Sequence, residues 1–144
     1  MTYTSIPKFT YINDGVEGNY EIVQDDDTII DDPASWTGDW KIRFLTSGTL
    51  NFTQLNGAKD GIDVFLVGGG GGNAAYANAG SGGGYTATYH NISVIEGDSY
   101  SIVIGAGGSS SAGGASSAFG YVANGGARAG AGGSGGGGSH TQSN

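Results

Sequence analysis

The sequence has no cysteine, and only five of its 144 residues are lysine or arginine. Without cysteine there is no disulfide, no thiolate nucleophile and no cysteine-ligated metal. Thirteen acidic residues give a net charge of -8. Affinity for nucleic acid comes largely from cations that neutralise phosphates, so nucleic acid is not an expected partner. No run approaches eighteen continuous apolar residues, so membrane insertion is not expected either. Met1–Ser5 has neither a basic stretch nor an apolar one and does not read as a signal peptide. Proline occurs only at Pro7 and Pro33, and charged residues make up only 12% of the chain.

Glycine is what the chain has in excess. Six of the 31 glycines precede Gly68, and the other 25 lie between Gly68 and Gly138. Charge divides along the same line. Residues 1–67 carry eleven acids and four bases, whereas residues 68–144 carry only Glu96, Asp98 and Arg128. A chain of this size supports one modest hydrophobic core, here with an acidic ordinary half and a nearly uncharged glycine half.

Residues 41–67 alternate with the period of two of half-buried strands. Ile42 and Phe44 face one way, Lys41 and Arg43 the other. Ser47-Gly48 reads as a hairpin turn, Leu50 and Phe52 continue the apolar face, and Asn56-Gly57 is a second turn signal. Ile62–Val67 is nearly apolar on both faces, as a central strand would be. Further strands are expected at Tyr85–Ile95 and Tyr100–Ile104, separated by the turn Glu96-Gly97-Asp98. In the first of these Tyr85, Ala87 and Tyr89 share one parity, while Ile92 and Val94 take the other. That switch predicts a β-bulge near His90-Asn91. No window shows helical spacing, and the fold class is all-β.

Glycine-rich segments ordinarily make flexible linkers, because each ordered glycine costs roughly 0.5–1 kcal/mol more than alanine. Three features argue for order instead. The tracts are interleaved with strands, since Val67 runs into Gly68–Gly72 and Ile104 into Gly105. Phe119, Tyr121 and Val122 put apolar bulk inside the last tract. And every third residue from Gly105 through Gly108, Ser111, Gly114, Ser117, Gly120, Ala123 and Gly126 to Gly138 is small. Three residues per turn is the repeat of polyproline II, which has no internal hydrogen bonds and must find partners in neighbouring segments. Collagen meets that need with proline, which this segment lacks. The expectation is therefore a packed polyglycine II arrangement.

No side-chain set points to catalysis. Gly132-Gly133-Ser134-Gly135-Gly136 matches the nucleophile-elbow pattern, and Gly130–Gly135 the dinucleotide pattern. Neither has the strand and helix its chemistry requires. His90 reads as a surface or cross-strand residue, and His140 as part of a polar tail. Asp25, Asp26, Asp27, Asp31 and Asp32 read as a solvated acidic turn. Calcium is the rival for them, but the ligand spacing of a known calcium loop is absent. Tyr85, Tyr89, Tyr100 and Phe119 are expected to pack. Tyr76, with Asn73 and Asn78, lies at a natural loop tip between glycine tracts and is the candidate for receptor contact. Packing back on the scaffold is the alternative. No catalytic residue, cofactor or metal is expected.

Trp40–Leu50, Asp63–Gly72, Gly82-Gly83-Gly84-Tyr85-Thr86, Ile104–Gly108 and Ser117-Ala118-Phe119-Gly120, in that order, resemble the glycine-rich domain proteins of bacteriophages and prophages. The resemblance spans residues 28–138. It implies a tail-fibre or tip component of the virion, similar to adhesins that use stacked polyglycine II helices to present loops to a host receptor. A capsid decoration or head fibre is the alternative. The implied fold is an antiparallel, jelly-roll-like β-sandwich at 28–104, with a glycine-rich insertion at 68–84. A polyglycine II-like segment follows at 105–138 and a polar tail at 139–144. Residues 1–27 match nothing in the family and are assigned to particle attachment or oligomerisation. Implied partners are other copies of the chain (a homotrimer or other homo-oligomer), other virion proteins, and a host surface glycan or protein. The implied location is the virion, assembled in the host cytoplasm and acting outside the cell.

Overall fold

The computed structural model describes residues 5–73 and 80–128. The chain forms two compact units, residues 1–63 with 90–102, and residues 64–89 with 103–144. Among the described residues every regular element is a strand apart from one short 3-10 helix at Asn56–Ala58, and the paired strands whose register is defined run antiparallel.

The first unit is organised around β1 (Lys8–Asn13) and β5 (Gly48–Gln54), which lie side by side with Tyr11 opposite Leu50 and Phe9 opposite Phe52. On the far side of β1 is the short β2 (Val16–Glu17), and on the far side of β5 is β8 (Ser99–Val103). Asp14 and Gly15 join β1 to β2 with φ of 49° and 80°, the left-handed pair that a two-residue hairpin turn requires. A separate ribbon of β3 (Tyr20–Val23) and β4 (Lys41–Phe44) pairs Tyr20 with Phe44 and Ile22 with Ile42.

Aromatic side chains join the ribbon to this sheet. The Tyr11 ring lies 4.6 Å from Phe44 and edge-on to Tyr20, and Phe9 meets Tyr20 edge-on at 5.0 Å. Tyr11 is 1% exposed, and its hydroxyl donates a hydrogen bond to the Thr46 carbonyl. Burial pushes that phenol above its ordinary pKa. A methyl group on Gly18 or Gly48 would strike the Tyr11 ring, at 2.7 and 2.8 Å, so these glycines make the slot the ring occupies. Leu50, Phe52, Val23 and Ile102 complete the core.

Several expectations change here. Residues 8–13, 16–17 and 20–23, in the segment assigned to attachment or oligomerisation, are strands of the first unit. Ser47-Gly48 is not a hairpin turn, because β4 pairs with β3 whereas β5 pairs with β1 and β8. Asn56-Gly57 does turn the chain, as the 3-10 helix, with Asn56 at φ 46°. Gly97, at φ 86°, makes the expected turn before β8.

β6 (Ile62–Val67) is hydrogen-bonded to β7 (Thr86–Ile92) in a two-stranded sheet, of which residues 64–67 and 86–89 belong to the second unit. Val64 and Leu66 are buried, but Phe65 and Val67 are exposed, so β6 is not a strand buried on both faces. The expected switch of parity is present in β7, where Ala87 and Tyr89 are half-buried, His90 and Asn91 are both exposed and Ile92 is half-buried. Asn91 takes φ 56°, and its N–H donates to Asp63 Oδ1 at 3.1 Å. A tight hairpin of β9 (Ser116–Ala118) and β10 (Tyr121–Ala123) turns at Phe119-Gly120, with φ of 52° and 82°. Tyr89 stacks on Tyr121 at 3.9 Å.

Leu50→Ala should destabilise the first unit by about 2–5 kcal/mol, the usual cost of emptying a packed site. The measurement is urea denaturation followed by the fluorescence of Trp36 and Trp40, both in that unit.

Candidate functional site

The glycines after β6 do not form a strand. A β-strand directs its backbone bonds to two neighbours in one plane, with a period of two. Residues 68–72 bond to four neighbouring segments. Gly68 and Gly71 donate to the carbonyls of Tyr85 and Gly82 at 2.9 and 2.8 Å. Gly69 and Gly72 donate to Gly114 and Ser111 at 2.9 and 2.8 Å. The Gly70 carbonyl accepts from Gly108 N–H, and the Gly69 carbonyl from Gly126 N–H, both at 2.8 Å. Donors three residues apart thus serve the same neighbour, which is the period of polyglycine II. Burial follows it, since Val67, Gly70 and Asn73 are exposed while Gly68, Gly69 and Gly72 are buried.

The neighbours also bond to one another. Tyr85 N–H donates to Asn124, Gly113 N–H to Gly126, and Gly114 N–H to Ala106. Segments 68–72, 82–85, 105–108, 111–114 and 124–127 together form a lattice. Side chains are excluded at the contacts. A methyl group on Gly69 would overlap the Ala106 carbonyl, and on Gly71 the Ala127 carbonyl. Gly68, Gly72, Gly84, Gly105, Gly108, Gly113, Gly125 and Gly126 face backbone in the same way. Gly70 and Gly107 differ, because the nearest atom to a methyl there would be 3.9 Å away.

Ser116, 3% exposed, ties the lattice to the strands. Its hydroxyl donates to the Val67 carbonyl at 2.6 Å and accepts from Gly105 N–H at 2.8 Å. Sequence reasoning missed it, since one serine among several in a glycine tract carries no signal of burial. The expected small-residue phase from 105 onward holds at Gly105, Gly108 and Gly126 but slips between them. Gly113 turns inward where Gly114 was expected, because a turn at 109–110 and the β9–β10 hairpin restart the count. Tyr85 was expected to pack, yet it is 46% exposed. Its backbone is what the lattice uses.

The connectivity gives the lattice two ends. At one, the segments continue into β6, β7, β9 and β10. At the other lie Asn73, the 109–110 turn and Arg128. Gly72 is bonded to Ser111 and abuts Ser109, and Gly82 is bonded to Ala127. Asn73, Ser109, Ser110, Ser111 and Arg128 are all exposed at this tip. Tyr76 and Asn78, the other candidates for receptor contact, lie outside the described residues. So do His140 and the two glycine-tract motifs at 130–136.

Three carboxylates of the aspartate cluster are engaged in local bonds. Asp26 Oδ1 accepts from Thr28 N–H at 3.0 Å, Asp27 Oδ1 from Lys41 Nζ at 2.8 Å, and Asp32 Oδ2 from the Ser35 hydroxyl at 2.6 Å. Among the described residues no group of three His, Cys, Asp or Glu side chains is placed to hold a metal ion. His90 lies on the surface, with Nδ1 3.1 Å from Asp63 Oδ2.

The family model described as a glycine-rich domain matches residues 45–144. The chain therefore belongs to the glycine-rich domain family, and the match takes in all five lattice segments. No curated protein and no solved structure matches the chain.

Two predictions follow from the lattice and the acidic turn. Gly69→Ala and Gly71→Ala should each cost about 3 kcal/mol or more, since backbone on every side prevents relaxation. Gly70→Ala and Gly107→Ala should stay within about 0.5 kcal/mol of the parent. Near-ultraviolet dichroism of the Tyr89–Tyr121 stack reads the difference. Hydrogen bonding to Lys41, and the charges of Lys41 and Arg43, hold the Asp27 carboxyl below its ordinary pKa of 3.8. Its contribution is present above that value and is lost as the pH falls through the lower folded value. Asp27→Asn should therefore lower stability at neutral pH and shrink the loss on acidification below about pH 4. Urea midpoints across that range measure it.

Proposed function

We propose that this chain is a structural and adhesive component of a bacteriophage particle, a tail-fibre or tip protein that contacts the host surface. The observation that carries the reading is the convergence of five backbone-bonded segments on one tip. A lattice held by main-chain bonds leaves its core indifferent to what the connecting loops contain. Such a scaffold fixes the loop ends while loop sequence varies freely, which is what surface recognition asks of a binding module. Asn73, Ser109, Ser110, Ser111 and Arg128 offer hydrogen-bond donors and one cation to a glycan or protein at that tip, and Tyr76 and Asn78 are the candidates that the sequence adds.

In this reading the chain works without catalysis, as a homo-oligomer attached to other virion proteins, assembled in the host cytoplasm and acting outside the cell. Its mechanism is geometric. The first unit supplies an ordinary aromatic core, and the second supplies rigid presentation.

The purified protein should bind host cells saturably. Combined Asn73→Ala, Tyr76→Ala and Asn78→Ala substitutions should lower that binding at least about tenfold, a modest loss for central contacts. A fixed stoichiometry on capsids with no binding to cells would overturn the adhesive role and make the protein a capsid decoration.

A further inference from the structure

We propose that the face of the lattice at Gly70 and Gly107 takes a glycine strand from a second copy of the chain, the run at residues 130–138. The inference rests on the homo-oligomeric reading above and names the contact. Segment 68–72 is bonded to 82–85 and 105–108, and also to 111–114 and 124–127, which bond to each other. A threefold helix packed among its like can have neighbours on every side, and this one has an open side. Among the described residues the N–H groups of Gly70 and Gly107 donate to no acceptor, and no donor reaches the Gly71 carbonyl. The adjacent donors at Gly69, Gly71 and Gly72 are all paired. The open side thus offers main-chain donors and an acceptor to a further segment.

Composition marks this side as a contact. Where other segments meet solvent they carry small side chains, since Ala106, Ala112, Ala115 and Ala127 are all exposed. Gly70 and Gly107 are exposed as well, and the nearest described atom to a methyl group at either is 3.9 Å away, yet both are glycine. The two lie side by side, because for Gly107 that atom is the Gly70 carbonyl oxygen. Glycine in an ordered segment costs conformational freedom. A pair that packing within the copy does not need points to backbone approaching from outside. Side chains at the contact would hold that backbone away, so the occupant has glycine at every third residue.

The chain itself carries such a strand. Gly130, Gly133 and Gly136 form one bare ridge at the threefold repeat and Gly132, Gly135 and Gly138 another, while Ala131 and Ser134 fall on the third. That is the pattern of a segment bonded on one side and open on the other. At about 3.1 Å per residue the run reaches about 25 Å, so a terminal strand and not a second folded face makes the contact. The run follows 124–127, which bonds 68–72 from the side away from Gly70. Within one copy it would have to pass over the tip, at Asn73 and the 109–110 turn, to reach Gly70. A run donated by a neighbour need not. Exchange of an identical segment between copies is a low-cost route to a homo-oligomer.

Sedimentation equilibrium of the whole chain provides the test. The parent should give a mass that is a multiple of 14.3 kDa. Gly70→Ala and Gly107→Ala, which are expected to leave the fold intact, should each weaken association at least about tenfold. So should Gly133→Val combined with Gly135→Val, which puts a branched side chain on each bare ridge. Near-ultraviolet dichroism of the Tyr89–Tyr121 stack checks that each variant is folded. A mixture of Gly70→Ala with the double variant brings an intact run to an intact face, and it should recover a species of twice 14.3 kDa. An assembled parent whose association survives the Gly70 and Gly107 changes, or a mixture that recovers nothing, would overturn the exchange and leave the homo-oligomer standing. A parent that stays at 14.3 kDa at every concentration would overturn both the exchange and the homo-oligomer, while binding to cells independently decides the adhesive role.

Discussion

The second unit depends on a steric condition. Where a segment is surrounded by other segments and bonded to four of them, each contact brings a Cα against a neighbouring carbonyl oxygen, and no Cβ fits between them. Glycine at Gly68, Gly69, Gly71 and Gly72 is therefore the only residue that lets the bonds close. The conformational freedom these residues give up is offset by backbone groups that are paired inside the lattice instead of bonded to water, and by close Cα–H contacts to carbonyls. Gly70 shows the same rule from outside. It points away from the lattice, and its glycine is not sterically required.

The two units solve the stability problem by different means. The first buries Tyr11, Leu50 and Phe52 between a sheet and an aromatic ribbon, as small β proteins generally do. The second has few large side chains to bury. It relies on main-chain bonding, with Ser116 and the Tyr89–Tyr121 stack fixing the strands from which the lattice extends.

Much of this was legible in the sequence, and the limits have physical causes. Period-two alternation located β4 and β5, the apolar run located β6, and the expected strands at 85–95 and 100–104 are β7 and β8, with the change of parity falling at His90-Asn91. The period of three was real but local, because turns reset the phase and only hydrogen-bond partners reveal the register. β1 and β2 were readable in principle. Lys8–Asn13 alternates, and Asp14-Gly15 is a strong hairpin signal, yet resemblance to the family begins beyond them. Partner choice was less accessible. Nothing in Lys41–Phe44 says that it pairs with Tyr20–Val23 and not with the strand that follows it. The apolar run of β6 implied burial on both faces, and the structure leaves one face uncovered. The tip residues Ser109–Ser111 and Arg128 carry no motif and are brought beside Asn73 only by the packing of the segments.

The central claim is that the glycine tracts form an ordered, hydrogen-bonded lattice. Residue-resolved amide exchange tests it most directly. The account predicts protection at Gly68, Gly69, Gly71, Gly72, Gly108, Gly113, Gly114 and Gly126 comparable to that of the β5 amides, because these N–H groups are donors within the lattice. Exchange at the rate of an unstructured glycine peptide at those positions, with β5 still protected, would contradict it.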